Sequence, residues 1–248
     1  MTEKTSPTVA IVTGASRAEG IGFEVCRQLA ERGIRVILTA RSPEASQSRA
    51  RELSASGLDV VGHPLDVTKA DSIRGLLEYV TNNFGRLDIL INNAAGIGPF
   101  GEMAAATDLN IARGVLEATL FGAWQMAEVF LPLLRESPHP RIVNVSSGAG
   151  SHGDPAFGLT TNNSMGTSYA VSKAALNALT VKLALEERKN SRVLINAVCP
   201  GFTATFEGGA AMGARPVSEG AAGIVWAALL DDNGPTGGLF RDGKPLAW

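Results

Sequence analysis

Thr8-Val9-Ala10-Ile11-Val12-Thr13-Gly14-Ala15-Ser16-Arg17-Ala18-Glu19-Gly20-Ile21-Gly22 is the stretch that decides the fold class. It runs from a short β-branched apolar segment, through a turn bounded by glycines, into a pattern of apolar residues at helical spacing that continues past Leu29 to Arg32. That order predicts a strand, a tight turn and a helix. Glycine can serve such a turn in two ways. It closes the backbone on itself, or it lets the backbone approach a phosphate, to which the helix N-terminus offers free amide hydrogens and the positive end of its dipole. The turn alone is compatible with either use.

The same alternation repeats outward from this stretch. Ile34–Ala40 reads as a second strand, and Ser42-Pro43-Glu44 then opens a helix with a cap, a proline and an acid in the usual order. Further strands are expected at Asp59–Leu65, Leu87–Ile91, Arg141–Val145, Arg192–Val198 and around Gly238-Leu239-Phe240, with a long helix over Arg113–Leu134, one carrying Tyr169, and one near Ser218–Leu230. Strands and helices in this rhythm predict an α/β fold: a single Rossmann-type doubly wound parallel sheet of about seven strands, helices on both faces. No linker or composition break divides the chain, so residues 8–248 are expected to form one domain behind a flexible tail of residues 1–7. In such a sheet ligands bind beyond the carboxyl ends of the strands. Gly14, Arg41, Asp66, Asn93, Ser147 and Pro200-Gly201 stand at those ends and should line one crevice.

Composition narrows the function classes. With 248 residues and 45% hydrophobic content the chain can bury a substantial core. The net charge of -2 and the absence of a basic run argue against a nucleic-acid partner. No apolar run reaches the roughly 18 residues of a membrane span, and the polar first residues lack a signal-peptide core, so a soluble cytoplasmic protein is expected. Cys26 and Cys199 have no paired spacing and read as buried free thiols, while His63, His139 and His152 show no ligand spacing, so no metal site is expected.

Tyr169 and Lys173 lie four apart in a strongly helix-forming run and so share one helix face. An ammonium beside a phenol favours the phenolate. The spacing also suits a tyrosine packed on the stem of a solvated lysine.

The motifs Thr13-Gly14-Ala15-Ser16-Arg17 with Gly20-Ile21-Gly22, Leu65-Asp66-Val67-Thr68, Asn92-Asn93-Ala94-Ala95-Gly96, Ile142–Ser147, Tyr169-Ala170-Val171-Ser172-Lys173 and Pro200–Thr205 occur in the order of a known family. Over nearly its whole length the chain resembles the classical short-chain dehydrogenases/reductases, and Gly234–Pro245 looks like their carbonyl-reductase-like branch. The resemblance implies that Tyr169 gives or takes the proton, that Ser147 holds the substrate oxygen, and that Lys173 lowers the pKa of Tyr169 and binds the nicotinamide ribose. It implies a cofactor held by Gly14, Ser16, Arg17, Gly20, Ile21 and Gly22 at the pyrophosphate and ribose, Asp66 and Val67 at the adenine, and Asn93, Ala94 and Gly96 at the ribose region. Pro200, Gly201, Phe202, Thr203 and Thr205 would cover the nicotinamide. An acid ending the second strand suits NAD, and a basic residue suits the 2′-phosphate of NADP. Here Ala40 takes the acid's place and Arg41 follows, so NADPH/NADP is the expected cofactor.

The chain also departs from that pattern. Five residues, not three, separate the first two glycines of the turn, and Glu19 among them should face solvent. Thr119 falls where the family has a catalytic asparagine that holds a proton-relay water. Ser147 and Tyr169 are 22 positions apart, and the added loop offers Phe157, Leu159 and Met165 either as an apolar substrate wall or as plain surface. The segment between Thr205 and Pro216 is short and rich in Gly and Ala, which implies an open pocket lined by small residues. An NADPH-dependent oxidoreductase acting on a small-molecule carbonyl or alcohol substrate is the leading reading. A nucleotide-binding relative acting as a non-redox biosynthetic catalyst, sensor or assembly partner is the alternative. Apolar residues on more than one face of the Tyr169 helix make a homo-oligomer an open expectation.

Overall fold

A computed structural model of the chain describes residues 7–99, 101–161, 166–190 and 192–248, the side chain of Asn190 excepted. Most of the tail expected at residues 1–7, and Met165 among the substrate candidates, therefore lie outside the described residues. In chain order the strands are β1 (Val9–Val12), β2 (Arg35–Ala40), β3 (Val60–Pro64), β4 (Ile89–Asn92), β5 (Arg141–Val145), β6 (Leu194–Val198), β7 (Leu239–Arg241) and β8 (Lys244–Pro245). The helices are α1 (Ile21–Ala30), α2 (Pro43–Ser54), α3 (Ala70–Phe84), α4 (Leu109–Leu116), α5 (Gly122–Arg135), α6 (Thr167–Asn190) and α7 (Val217–Ala228).

The strands lie in the order β3-β2-β1-β4-β5-β6-β7-β8, parallel except for the last pair. This is the expected doubly wound sheet with one addition, the two-residue antiparallel β8, which is too short to leave an alternating pattern in sequence. Because the chain winds from β1 towards β3 and then returns to start again at β4, the sheet reverses its direction of growth between β1 and β4. A crevice opens at such a reversal.

Both faces of the sheet are covered, so the central strands are apolar throughout rather than alternating. Val9 and Ile11 of β1 point to the side packed by α3, α5 and α6, and Ala10 and Val12 to the side packed by α1, α2 and α7. Local chemistry sets the helix ends. Ser42 caps α2, its Oγ accepting the Ala45 amide at 3.1 Å, with Pro43 in the first turn. Gly85 ends α3 in the left-handed conformation, φ +65°.

The long helix expected over Arg113–Leu134 is instead α4 and α5 joined by a single π-helical turn, Glu117–Phe121. A π turn keeps the apolar spacing nearly intact and so is not visible in a pattern of periods, but it holds one residue more than an α turn and re-aims what sits there. Thr119 sits there. On the same face, α6 passes so close to the 3-10 turn Gly148–Gly150 that a Cβ on Gly150 would lie 2.5 Å from the Ala174 amide nitrogen and 2.7 Å from Lys173 Cβ.

Gly150→Ala is therefore expected to push α6 off the turn that follows β5 and to cost about 1–3 kcal/mol of stability. Thermal unfolding would register this as a drop of several degrees. Gly75→Ala in α3, where a Cβ meets nothing within 4 Å, should be neutral or mildly stabilising in the same assay.

Candidate active site

Four adjacent strand ends enclose a cavity of 590 Å³. The turn after β1 supplies Gly14, Ser16, Arg17, Gly20, Ile21 and Gly22. The end of β2 supplies Ala40 and Arg41, the segment after β3 Leu65 to Thr68, and the segment after β4 Asn93 to Ile97. Gly114 of α4, Ala118 of the π turn and Thr205 complete the lining.

The glycines here are steric necessities. Gly14 has φ +69°, and a Cβ on it would lie 2.8 Å from Ala94 Cα; one on Gly22 would lie 2.5 Å from Asn93 Nδ2. The turn after β1 and the segment after β4 are stitched together across that contact. Asn93 Nδ2 donates to the carbonyls of Thr13 at 2.8 Å and Gly14 at 3.0 Å, and Thr13 Oγ1 accepts the amides of Asn93 and Ala94, both at 2.9 Å. Gly20, the N-cap of α1, has no side chain to cap it, so the first amides of the helix face the cavity mouth unclaimed by a cap.

The charge in the cavity suits phosphate. Arg41 is exposed at its rim, Arg17 donates to the Thr205 carbonyl across its mouth, and Glu19 is exposed, as expected. Burial acts to raise the pKa of Asp66, but the bonds from Thr68 N at 3.0 Å and Thr68 Oγ1 at 2.7 Å, with Arg41 and Lys69 nearby, outweigh it and hold the carboxyl below its usual range.

A second group of side chains lies one strand further along. Ser147 stands two residues beyond β5, its Oγ accepts the Ala149 amide at 3.1 Å, and it lies close enough to the Tyr169 hydroxyl to act on its pKa. Two residues 22 positions apart thus meet because α6 returns over the end of β5. Lys173, 2% exposed, donates from Nζ to the Val145 carbonyl at 2.7 Å and stands 5.5 Å from the centroid of the Tyr169 ring. Gly98, just beyond the cavity wall, approaches Ser168 so closely that a Cβ would lie 2.4 Å from its Oγ, which joins the two groups of residues.

The electrostatics differ from the expectation that Lys173 lowers the pKa of Tyr169. Among the protein's own groups burial dominates: it pushes Tyr169 up to about 12 against the opposing influence of Ser147, and it pushes Lys173 down to about 8. The lysine aims its Nζ at a carbonyl below the ring rather than at the phenolic oxygen.

Thr119 is 1% exposed, and its Oγ1 accepts the Gly96 amide at 3.0 Å. The hydroxyl thereby ties the π turn to the segment after β4. The cavity lining includes Thr205 but not Pro200, Gly201, Phe202 or Thr203, nor Tyr169 or Lys173. Thr203 is buried, its hydroxyl donating inward to the carbonyls of Pro200 and Gly201 at 3.1 Å. Phe157 is 37% exposed and Leu159 half-buried. The stretch after Thr205 is not lined by small residues alone, since Phe206 and Met212 stand exposed on it. Sequence reasoning missed Ile97, Gly114 and Ala118 as lining residues; a pair of small residues four apart facing the cavity was the signal for the last two. Among the described residues no cluster of three potential metal ligands occurs, and no helix is long and apolar enough to cross a membrane.

The family model for the short chain dehydrogenase matches residues 8–211. The chain is 36% identical to a (+)-neomenthol dehydrogenase of Arabidopsis thaliana, with 100% of this chain and 99% of the relative covered. It is 33% identical to Carbonyl reductase [NADPH] 3 of Rattus norvegicus, covering 97% and 98%. Its structure is similar, at TM-score 0.77 and 30% identity, to that of salutaridine reductase from Papaver somniferum, covering 95% and 99%. It is likewise similar, at TM-score 0.76 and 30% identity over 94% and 96%, to a metagenomic short-chain oxidoreductase in complex with NADP.

Thr119→Val keeps the shape of the side chain and removes the acceptor of the Gly96 amide. Leaving that half-buried amide without its protein acceptor is expected to cost about 0.5–1.5 kcal/mol, measured by urea unfolding, and to loosen the cavity wall at Gly96.

Proposed function

The chain belongs to the short chain dehydrogenase family, in its carbonyl-reductase-like branch, and on that footing we propose that it is an NADPH-dependent reductase of ketones or aldehydes, able to run in reverse on the alcohol. The observation that carries the reading is the approach of Ser147 to Tyr169, with Lys173 buried beside them and a glycine-cradled cavity adjoining.

The cavity residues fit a dinucleotide. The turn of Gly14, Gly20 and Gly22 and the uncapped start of α1 would take the pyrophosphate, and Asp66 with Val67 the adenine. Arg41, where Ala40 replaces an acid, would take the 2′-phosphate, with Arg17 alongside. NADP in the metagenomic neighbour and NADPH in the name of the rat relative support the same choice. Bound NADPH supplies the hydride.

The chain's own residues do the rest. Ser147 and the Tyr169 hydroxyl lie near each other, and a substrate carbonyl oxygen placed between them would accept from both. Tyr169, held fully protonated by burial, gives that oxygen its proton as negative charge develops there, which spares the site an unstabilised alkoxide. The positive charge of Lys173 below the ring stabilises the phenolate left behind. Thr119 Oγ1 accepts the Gly96 amide and keeps its own hydroxyl hydrogen to donate.

Cofactor choice tests the cavity assignment. Arg41→Ala should weaken NADPH roughly 10- to 100-fold while leaving NADH little changed, measured by fluorescence titration. Equal losses for both would remove Arg41 from the 2′-phosphate. The pH profile tests the pair. Because Lys173 is pushed down to about 8, it loses its charge as pH rises through that value while Tyr169 stays protonated. The kcat/KM for reduction should therefore be level below about pH 8 and fall above it. Tyr169→Phe should lower it by roughly 10²–10⁴ at every pH. Full activity of Tyr169→Phe would end the proposal.

A further inference from the structure

Three phenylalanine rings form a row that the reaction as derived above leaves unused. Phe157 lies 6.0 Å from Phe202, centroid to centroid and tilted 38°, and Phe202 lies 6.2 Å from Phe206, tilted 46°. The outer two remain open to solvent, Phe157 at 37% and Phe206 at 40% exposure. The row bridges two segments that leave the sheet side by side. Phe157 belongs to the segment that follows Ser147 at the end of β5, and Phe202 and Phe206 to the segment that follows β6, its parallel neighbour.

One end of the row is held in place by charged groups. Asp154 is completely buried; its Oδ1 accepts the amides of Ala156 at 2.9 Å and Phe157 at 3.0 Å, so it fixes the turn on which Phe157 stands. Its Oδ2 is paired with Arg241 of β7, whose guanidinium also donates to the Cys199 sulfur at 3.2 Å. That sulfur accepts the amides of Gly148 at 3.1 Å and Gly201 at 3.4 Å. Asp154, Arg241 and Cys199 thus tie the residue after Ser147, the residue before Phe202 and the Phe157 turn to one another. The carboxylate is buried while the guanidinium keeps part of its surface in water, and a hydrophobic residue at 154 would leave the Ala156 and Phe157 amides without their acceptor. What the charges fix is geometry.

We propose that Phe157, Phe202 and Phe206 form an apolar subsite for the ring of an aryl or ring-fused ketone, and that the Asp154–Arg241 pair positions this subsite relative to Ser147. The inference rests on the reading of the chain as a carbonyl reductase. Ser147 and the rings stand on the same two neighbouring segments, so a ketone whose oxygen sat at Ser147 and Tyr169 would extend along them towards the exposed rings. Tilted rings at this spacing offer offset and edge contacts to a further planar ring, and a small acyclic ketone does not reach them.

The experiment compares kcat/KM, with NADPH, for 2-tetralone and for butane-2,3-dione in the wild type, in Phe206→Ala and in Asp154→Asn, with NADPH affinity as a check on folding. The ratio of tetralone to butanedione is expected to fall roughly tenfold in Phe206→Ala, through a raised KM for tetralone. It should fall in the same direction in Asp154→Asn, which keeps an acceptor for the Phe157 amide but loses the charge. Phe206 is a surface residue, so its variant remains informative if Asp154→Asn folds poorly. An unchanged ratio in Phe206→Ala overturns the subsite and leaves the reductase reading standing. A wild type that binds NADPH and reduces neither compound overturns that reading, and the subsite with it.

Discussion

The buried amino group of Lys173 holds the carbonyl of the last residue of β5, and the placement of the candidate site depends on that bond. It fixes α6 against the end of the sheet at the level where Ser147 begins to leave it, and Gly150 supplies the clearance that lets the helix come so near. With that approach set, Tyr169 meets Ser147. A charged group taken out of water must keep strong partners, and a backbone carbonyl at a strand end is a partner the fold cannot withdraw without unpairing β5. Burial then does the electrostatic tuning. It raises the phenol and lowers the ammonium, each towards its uncharged form.

The cavity beside this pair rests on a different constraint, close backbone contact. Thr13, Asn93 and the glycines at 14 and 22 lock the turn after β1 to the segment after β4 through contacts that admit no side chain. The two longer inserts in the chain do not disturb that lock. The enlarged turn after Gly14 sends Glu19 outward, and the loop after Ser147 folds onto β7 through Asp154 and Arg241. The cradle keeps its shape because its walls belong to the sheet's reversal point.

What was legible in the sequence was whatever depends on order along the chain. Apolar runs ending in Gly14, Arg41, Asp66, Asn93 and Ser147 placed those residues at strand ends, and a parallel sheet then gathers its strand ends whatever the loops do. Most of the cofactor residues expected from the motifs line the cavity for this reason. What was not legible depends on local departures that leave the periodicity untouched. One π turn redirects Thr119 to Gly96. Thr203 turns inward although its motif neighbour Thr205 lines the cavity. The direction of the Tyr169 shift follows from depth of burial, which spacing on a helix does not encode. Phe206 and the Asp154–Arg241 pair are single residues far apart in sequence, and no pattern relates them before the chain is folded.

The edges of the sheet carry one more consequence. The sequence of strands ends in β3 on one side and β8 on the other, and each closes with a proline, Pro64 and Pro245. Proline offers no amide hydrogen and cannot complete a ladder. A strand from another molecule arriving at either border would lack part of its pairing, and at β8 it would find only two residues to pair with. Resistance to runaway sheet growth, a hazard of any open-edged sheet, is thus written into the last residues of the two outermost strands.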